Sequence, residues 1–418
     1  MTVAAAETAL TAEPADRWRQ LAIVSFGLFS VMSPAFAASA VAPALREAWG
    51  LGPLGLPILT VAVLLGFAIA AVALALVGAP DVVPAPRLFA IGAVVAGVAN
   101  LGFAYLATDT ASALPFRILT GAGQAASYPV AILLVAGWFR HDRGLATGIL
   151  IGALTFGTAS PYLFRAVGLA AGVDWRPVLA SASVACLVGA VIVGVLARQG
   201  PYEVPAPRFS LSIARRAFTE PSVRLANAGY LGHMWELFAM WTWVPLFFLA
   251  SFGAAGLTDP AQASLAAFAV VGCGAIGCVV AGAVADRVGR SITTIAAMAI
   301  SGTCAVLVGL AFGSAWPLVL LLGVVWGVSI IADSAQFSAA ISELAPPGTA
   351  GSALTVQLAA GFVLTSVSIL VIGLLDPTDA TGWRIAFGML AIGPIVGIVS
   401  MWRLRGRPDA VRMASGHR

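Results

Sequence analysis

Apolar runs of roughly 20 residues follow one another along nearly the whole chain, and short segments between them carry most of the charges. The runs are continuously apolar rather than alternating, which predicts membrane-spanning helices and not the strands of a barrel. Twelve spans are read, at about 18–44, 53–78, 86–107, 112–138, 144–168 and 176–197, then 223–252, 260–284, 290–312, 315–342, 350–374 and 382–403. The longest polar stretch, 198–222, contains Pro201, Pro205 and Pro207 with Arg208, Arg215 and Arg216, and it separates two sets of six. The expected organisation is a tail over 1–17, a helical bundle over 18–197, a linker over 198–222, a second bundle over 223–403 and a tail over 404–418. The first span, with Arg17 and Arg19 before it and small residues from Ala35 to Ala40, also imitates a cleavable signal peptide. It is long for one, and its removal would leave an odd number of spans.

Composition sharpens this picture. Of 418 residues, 60% are hydrophobic and 10% charged, and the mean hydropathy is +0.98. No water-soluble globule keeps such a balance in solution, so the lipid bilayer is the expected partner. All 22 basic residues are Arg, for a net charge of +4. Assigning loops alternately to two sides collects seventeen arginines on the side of the chain ends and leaves five, Arg46, Arg117, Arg165, Arg176 and Arg384, for the other side or the spans. This positive-inside bias predicts an inner-membrane protein with both termini cytoplasmic, and it accounts for the basicity without a nucleic acid. Cys186, Cys273, Cys278 and Cys304 all fall in apolar runs, where cysteine serves as a small packing residue, and they outline neither a disulfide nor a metal framework. No cofactor or metal is expected.

The two halves echo each other. Asp174-Trp175-Arg176 opens the sixth span and Gly382-Trp383-Arg384 the twelfth, while the loop around Asp81 answers the loop around Asp286 at almost the same offset. Such internal similarity is the sign of a carrier built from repeats.

Several spans carry ionisable groups that lipid alone would not tolerate. In the seventh, His233 and Glu236 are three apart and adjacent on a helix, with Met240 and Trp243 continuing that face and Trp235 beside it. A carboxylate in a poorly hydrated site can take and release a proton near neutral pH, so Glu236 is the first choice for proton coupling, with His233 sharing or tuning that proton. The alternative is a Glu–His hydrogen bond that ties helices together. In the tenth span, Asp333 shares a face with Trp326, Ser329 and Gln336; it serves function or a structural pairing, for which Arg117 is a candidate. In the fourth, Arg117, Gly121, Gln124 and Tyr128 recur at helical spacing. Arg117 either faces a wet cavity or snorkels to the outer interface.

The loop after the eighth span reads Gly282-Ala-Val-Ala-Asp286-Arg287-Val-Gly289-Arg290. It resembles the signature loop of the major facilitator superfamily, and the span count, linker and paired halves agree with that resemblance. The resemblance implies an all-α fold of twelve transmembrane helices in two pseudo-symmetric six-helix bundles. It further implies a conformational latch of Asp286, Arg287 and Arg290, with Gly282 and Gly289 allowing close approach. A solvated turn that merely obeys the charge bias is the plainer reading. The first-half loop, Gly78-Ala-Pro-Asp81-Val-Val-Pro84-Ala-Pro86-Arg87, departs from the pattern by placing prolines where Gly and Arg would stand. Arg117-Ile-Leu-Thr-Gly121-Ala-Gly123-Gln124 is similar to the family's Arg-x-x-x-Gly-x-Gly motif, whose arginine the resemblance links to proton coupling. In the fifth span, Gly148, Gly152, Gly157 and Pro161 do not complete the family's antiporter motif.

The family also implies that spans one, four, seven and ten line a central cavity. Arg117, Gln124, Tyr128, His233, Trp235, Glu236, Trp243, Trp326, Asp333 and Gln336 are therefore the expected substrate or proton site. A small, partly apolar organic solute is expected there, with an anion held by Arg117 as one option, carried by a monomer through alternating access with proton coupling. Drug or metabolite efflux is the alternative. Neither a His-Glu-x-x-His cluster nor a Gly-x-Ser-x-Gly elbow occurs, so no enzyme is expected. A sensor or scaffold without transport is a further reading.

Overall fold

Long apolar helices follow one another in a computed structural model that describes residues 14–202, 219–346 and 349–417. Eleven of them are long and apolar enough to cross a bilayer. We number the crossings α1 to α12. The first half contains α2 (Gly55–Leu76), α3 (Ala85–Tyr105), α4 (Thr110–Ala136), α5 (Arg143–Ala170) and α6 (Trp175–Leu196). The second half contains α7 (Pro221–Ala254), α8 (Pro260–Gly272 and Gly274–Val288), α9 (Arg290–Leu310), α10 (Trp316–Ala332 and Ser334–Leu344), α11 (Ala350–Leu375) and α12 (Ala380–Leu390 and Ile392–Arg405).

The twelfth crossing is α1, and it differs from the continuous span expected over 18–44. It runs as Arg17–Met32, then short turns at Ala37–Ala40 and Ala42–Trp49. Pro34 supplies the cause. Its ring lacks an N–H and clashes with the carbonyl four residues back, so the helix stops just before it and its neighbouring carbonyls lose their usual donors. Elsewhere the local rules hold. Asp109 caps α4 by accepting from the Ser112 backbone N–H at 2.7 Å, and the Ser112 hydroxyl answers by accepting from the Asp109 N–H at 3.1 Å. The repeated tryptophans Trp175 and Trp383 both lie buried near the starts of α6 and α12.

The lateral surface is apolar, with Ile69, Val195, Leu374 and Trp402 among many large side chains left exposed. A belt of this kind fits a hydrocarbon solvent and no other. The chain is therefore a multi-pass membrane protein.

Of the expected tails and linker, residues 1–13 and 203–218 lie outside the described residues. The last segment is not a loose tail. Pro408–Gly416 forms 3-10 turns, with Ala410 and Met413 buried. Asp409 accepts from the Ser222 hydroxyl at the start of α7 at 2.8 Å, and the Arg412 guanidinium donates to the Ala345 carbonyl after α10 at 3.2 Å. Two apolar residues on one side of a short amphipathic stretch were enough to fold it back.

Glycines set how closely the helices approach. A Cβ on Gly121 would collide with the Val63 carbonyl of α2, and one on Gly123 with the Gly92 carbonyl of α3. The two glycines of the Arg-x-x-x-Gly-x-Gly segment thus let α4 lie wedged between two neighbours at backbone contact.

The halves meet along α2 with α11 and α5 with α8. On the face remote from the chain ends, Gly373 abuts Pro57, and Arg46 pairs with Asp376 at 3.4 Å. Nearer the chain ends, a Cβ on Gly148 would stand 3.3 Å from the Cys278 carbonyl and one on Gly282 3.5 Å from the Gly144 carbonyl. The halves touch at both levels, with empty space between them.

Candidate functional site: a cavity between the halves

That space is a central cavity of about 70 Å³, lined by residues of α1, α2, α4, α5, α7, α10 and α11. Two of the helix interruptions border it: Met32, Ala35 and Phe36 lie beside the break in α1, and Ile331 and Ser334 on either side of Asp333 in α10. Broken helices place backbone and side chains there that a straight helix would turn away.

The wall is aromatic and apolar. Phe67 of α2 packs on Phe362 of α11 with centroids 4.5 Å apart, Phe362 on Phe238 at 5.3 Å, and Phe36 of α1 lies parallel to Phe238 at 5.8 Å. Trp241 meets Phe238 edge-on at 5.2 Å. Among the described residues, Gln124, Tyr128, Thr158, Tyr230 and Ser334 are the polar side chains of the lining, and no ionisable acid or base other than the two tyrosines belongs to it.

Of the ten residues expected at a substrate or proton site, the cavity wall therefore contains Gln124 and Tyr128. The others lie behind it. Arg117 is fully buried, and neither snorkels nor meets Asp333. Its Nη1 donates to the Pro34 carbonyl at 3.0 Å and to Asn100 Oδ1 at 3.4 Å, its Nη2 to the Ala35 carbonyl at 2.7 Å, and its Nε to the Leu59 carbonyl at 3.2 Å. Those first and third acceptors are the carbonyls beside the break in α1. The planar fork, with donors spread over three nitrogens, lets one side chain satisfy several of them at once. Gln124 repeats the arrangement one break-side turn earlier, donating to the Val31 carbonyl at 3.0 Å.

The seventh-span groups also sort differently from the expected His–Glu pair. Glu236 Oε1 accepts from the Trp326 indole at 2.6 Å and Oε2 from the Ser301 hydroxyl at 2.9 Å. His233 Nδ1 instead lies 2.8 Å from Asp333 Oδ1 across the break in α10, both side chains almost wholly buried. That oxygen takes no well-aligned hydrogen bond, and His233 Nε2 has none. Trp235 donates to the Met389 carbonyl of α12 at 3.1 Å and Trp243 to the Ile369 carbonyl of α11 at 3.3 Å, so both tie the second bundle together. The cavity face of α7 is the neighbouring one, with Tyr230, Met234, Leu237, Phe238 and Trp241. Their spacing is as helical as that of the polar face, and in sequence either face could have pointed inward.

The sequence profile described as Major Facilitator Superfamily matches residues 24–368. The chain belongs to the major facilitator superfamily. Solved structures of the superfamily share its fold over nearly the full length. A bacterial homologue of the human lysosomal transporter Spinster, inward-facing and unoccupied, aligns at a TM-score of 0.71 and 12% identity, covering 94% of this chain and 98% of that one. The xylose transporter XylE from E. coli, partially occluded and inward open, gives 0.73 and 15% over 93% and 99%. A D-xylose-proton symporter gives 0.70 and 16% over 94% and 98%. Comparison with curated proteins finds no match.

In superfamily terms the loop after α8 is the signature loop, and its residues take distinct places. Arg290 forks onto Glu343, Nε to Oε2 at 2.8 Å and Nη2 to Oε1 at 2.6 Å, while Nη1 donates to Gln336 Oε1 at 2.8 Å. Gln336 is thus held inside the second bundle, away from the cavity. Gly289 has φ of +97° and ψ of 154°, a region essentially closed to other residues. Gly282 is buried at ordinary contact distance from α5, and Arg287 is exposed. The side chain of Asp286 lies outside the described residues, as does that of Asp81 in the first-half loop.

Proposed function

We propose that this chain is a proton-coupled secondary carrier of a small organic solute, working as a monomer in the cell inner membrane with both termini cytoplasmic. Its superfamily membership makes it a transporter, and the xylose-proton symporter among its structural relatives makes proton coupling a natural expectation. One observation supports the coupling site. His233, Glu236 and Asp333 are each followed in sequence by a cavity-wall residue, Met234, Leu237 and Ser334. A step of one residue turns a helix by about 100°, so the proton-binding groups sit just behind the wall on the same rigid turns as the solute contacts. Gain or loss of a proton by Glu236 changes its bonds to Trp326 and Ser301 on α10 and α9, and the helices that frame the cavity then shift together. His233 and Asp333 meet at the break in α10 as a second pair of ionisable groups behind the wall. Arg117 is spent on the carbonyls of α1 and serves the fold of the first half, so an anion held by it is not carried forward.

The test is proton movement. Protein in liposomes loaded with a pH-sensitive dye is challenged with solutes that stabilise it in a thermal-shift screen at two pH values. Wild type should move protons with solute, whereas Glu236→Gln should bind and exchange solute with no proton movement. Equal proton movement in the variant removes Glu236 from the mechanism. Efflux of apolar compounds is the alternative that the greasy cavity favours, and the direction of flux under an imposed pH gradient separates the two.

A further inference from the structure

The cavity has a composition that selects a solute class, and this inference rests on the transport reading above for its site. Seven aromatic side chains contribute to the wall, Phe36 and Phe67 from the first half and Phe238, Trp241 and Phe362 from the second, with Tyr128 and Tyr230 facing from α4 and α7. The cavity volume of about 70 Å³ is several times the roughly 10–15 Å³ that one water needs, which suits a compact ring system. Among the described residues, no Asp, Glu, His, Lys or Arg contributes to the lining. A charged solute enclosed there would lose its hydration with no compensating partner, which is the most expensive kind of burial. A sugar, with a hydroxyl on nearly every carbon, would leave most of them unpaired, since polar lining groups are few and Gln124 already gives its amide to Val31.

The tyrosines complete the argument. A buried phenol normally finds a hydrogen-bond partner. Among the described residues, Tyr162 does so, donating to the Trp241 carbonyl at 2.6 Å. Among the described residues, neither the Tyr128 nor the Tyr230 hydroxyl makes such a bond, although Tyr230 is only 4% exposed. One comes from each half and both line the cavity. They also lie nearer the chain-end face of their helices than Phe36 and Trp241 do, which gives the cavity a greasy end and a hydrogen-bonding end.

We infer that the solute is an uncharged, largely aromatic or polycyclic molecule bearing a hydroxyl or carbonyl, stacked against Phe238 and Trp241 and hydrogen-bonded by Tyr128 and Tyr230. Binding then spans both halves and closes them on the solute, since each half supplies one tyrosine and part of the aromatic wall.

The experiment uses the purified full-length protein and a matched series: naphthalene, naphthalene methanol, naphthoate and xylose, with affinities from radiolabel binding at fixed detergent. Naphthalene methanol should bind saturably, at least tenfold more tightly than naphthoate and xylose. Tyr128→Phe with Tyr230→Phe should weaken naphthalene methanol about tenfold, the order expected for two neutral hydrogen bonds, and leave naphthalene within about twofold. Leu358→Trp, which fills the cavity, should abolish binding of both; Thr158→Leu serves the same purpose should that variant fail to elute as a monodisperse species. Tighter binding of naphthoate or xylose than of naphthalene methanol overturns the inference, as does absence of binding by the whole series or an equal loss for naphthalene and its methanol in the double variant. Binding as expected with no flux in liposomes would instead count against the transport reading and leave the solute class standing.

Discussion

At the scale of single residues, the same amino acid does different work according to the backbone around it. Gly282 and Gly289 belong to one signature loop, yet a methyl group on Gly282 meets only an ordinary contact at 3.5 Å, while Gly289 holds a positive φ that a side chain resists. Gly282→Ala should therefore leave thermal stability in detergent within about 0.5 kcal/mol. Gly289→Ala should cost about 1–3 kcal/mol. Unfolding midpoints of the two variants, measured side by side, check the contrast, and equal values would show that the loop relaxes around the added methyl. Arg117 makes a similar point. An arginine in a span reads as function because lipid makes it expensive, but here four acceptors offset that expense, two of them carbonyls at the break in α1. Nothing in the Arg-x-x-x-Gly-x-Gly spacing reveals that the acceptors would be backbone.

At the scale of elements, prolines decide where the helices offer polar backbone. Pro245 in α7 leaves the Trp241 carbonyl without its donor four residues on, and Tyr162 of α5 takes that place. The bond crosses from one half to the other beside the cavity wall, so it must break whenever the halves part on that side. Removing it with Tyr162→Phe should change the rate of solute exchange in liposomes by about two- to tenfold, as befits one neutral hydrogen bond. An unchanged rate would show that the bond persists through the whole cycle. Cys273, Asp333 and Ala391 sit at the breaks in α8, α10 and α12 in near-helical geometry; Pro394 removes the donor for the Leu390 carbonyl at the last and Gly272 and Gly274 flank the first, while nothing in the sequence marks the break at Asp333. The twelve spans were legible because each apolar run matches the bilayer, and the interruptions were not, because a run of hydropathy says nothing of hydrogen bonds inside it.

At the scale of the whole molecule, the charge bias and the even number of crossings make one further statement about topology. Arg17 pairs with Asp142 of the loop between α4 and α5, and the Pro408–Gly416 turns pack near the end of α10, so both described ends share one face. Reporter fusions after Gly416 should behave as cytoplasmic, with a fluorescent protein bright and an alkaline phosphatase inactive, and a phosphatase inserted at Gly172 should be active. The reverse pattern would invert the bundle. On the opposite face, the half-exposed Arg46–Asp376 pair joins the halves but is screened by solvent, so a contribution of at most about 1 kcal/mol is expected from it.

The amino-acid order by itself determined the class of protein: twelve greasy crossings in two halves and a signature loop, because burial in lipid is a demand that each segment meets alone. Tertiary structure decided which face of each helix looks into the cavity. On α7 two stripes at the same period competed, one with His233 and Glu236 and one with Tyr230, Met234 and Trp241, and only packing against α9, α10 and α12 turned the first inward to the bundle and the second toward the solute. A helix carries its periodicity in the sequence, but its rotation about its own axis is fixed by neighbours that lie far away along the chain.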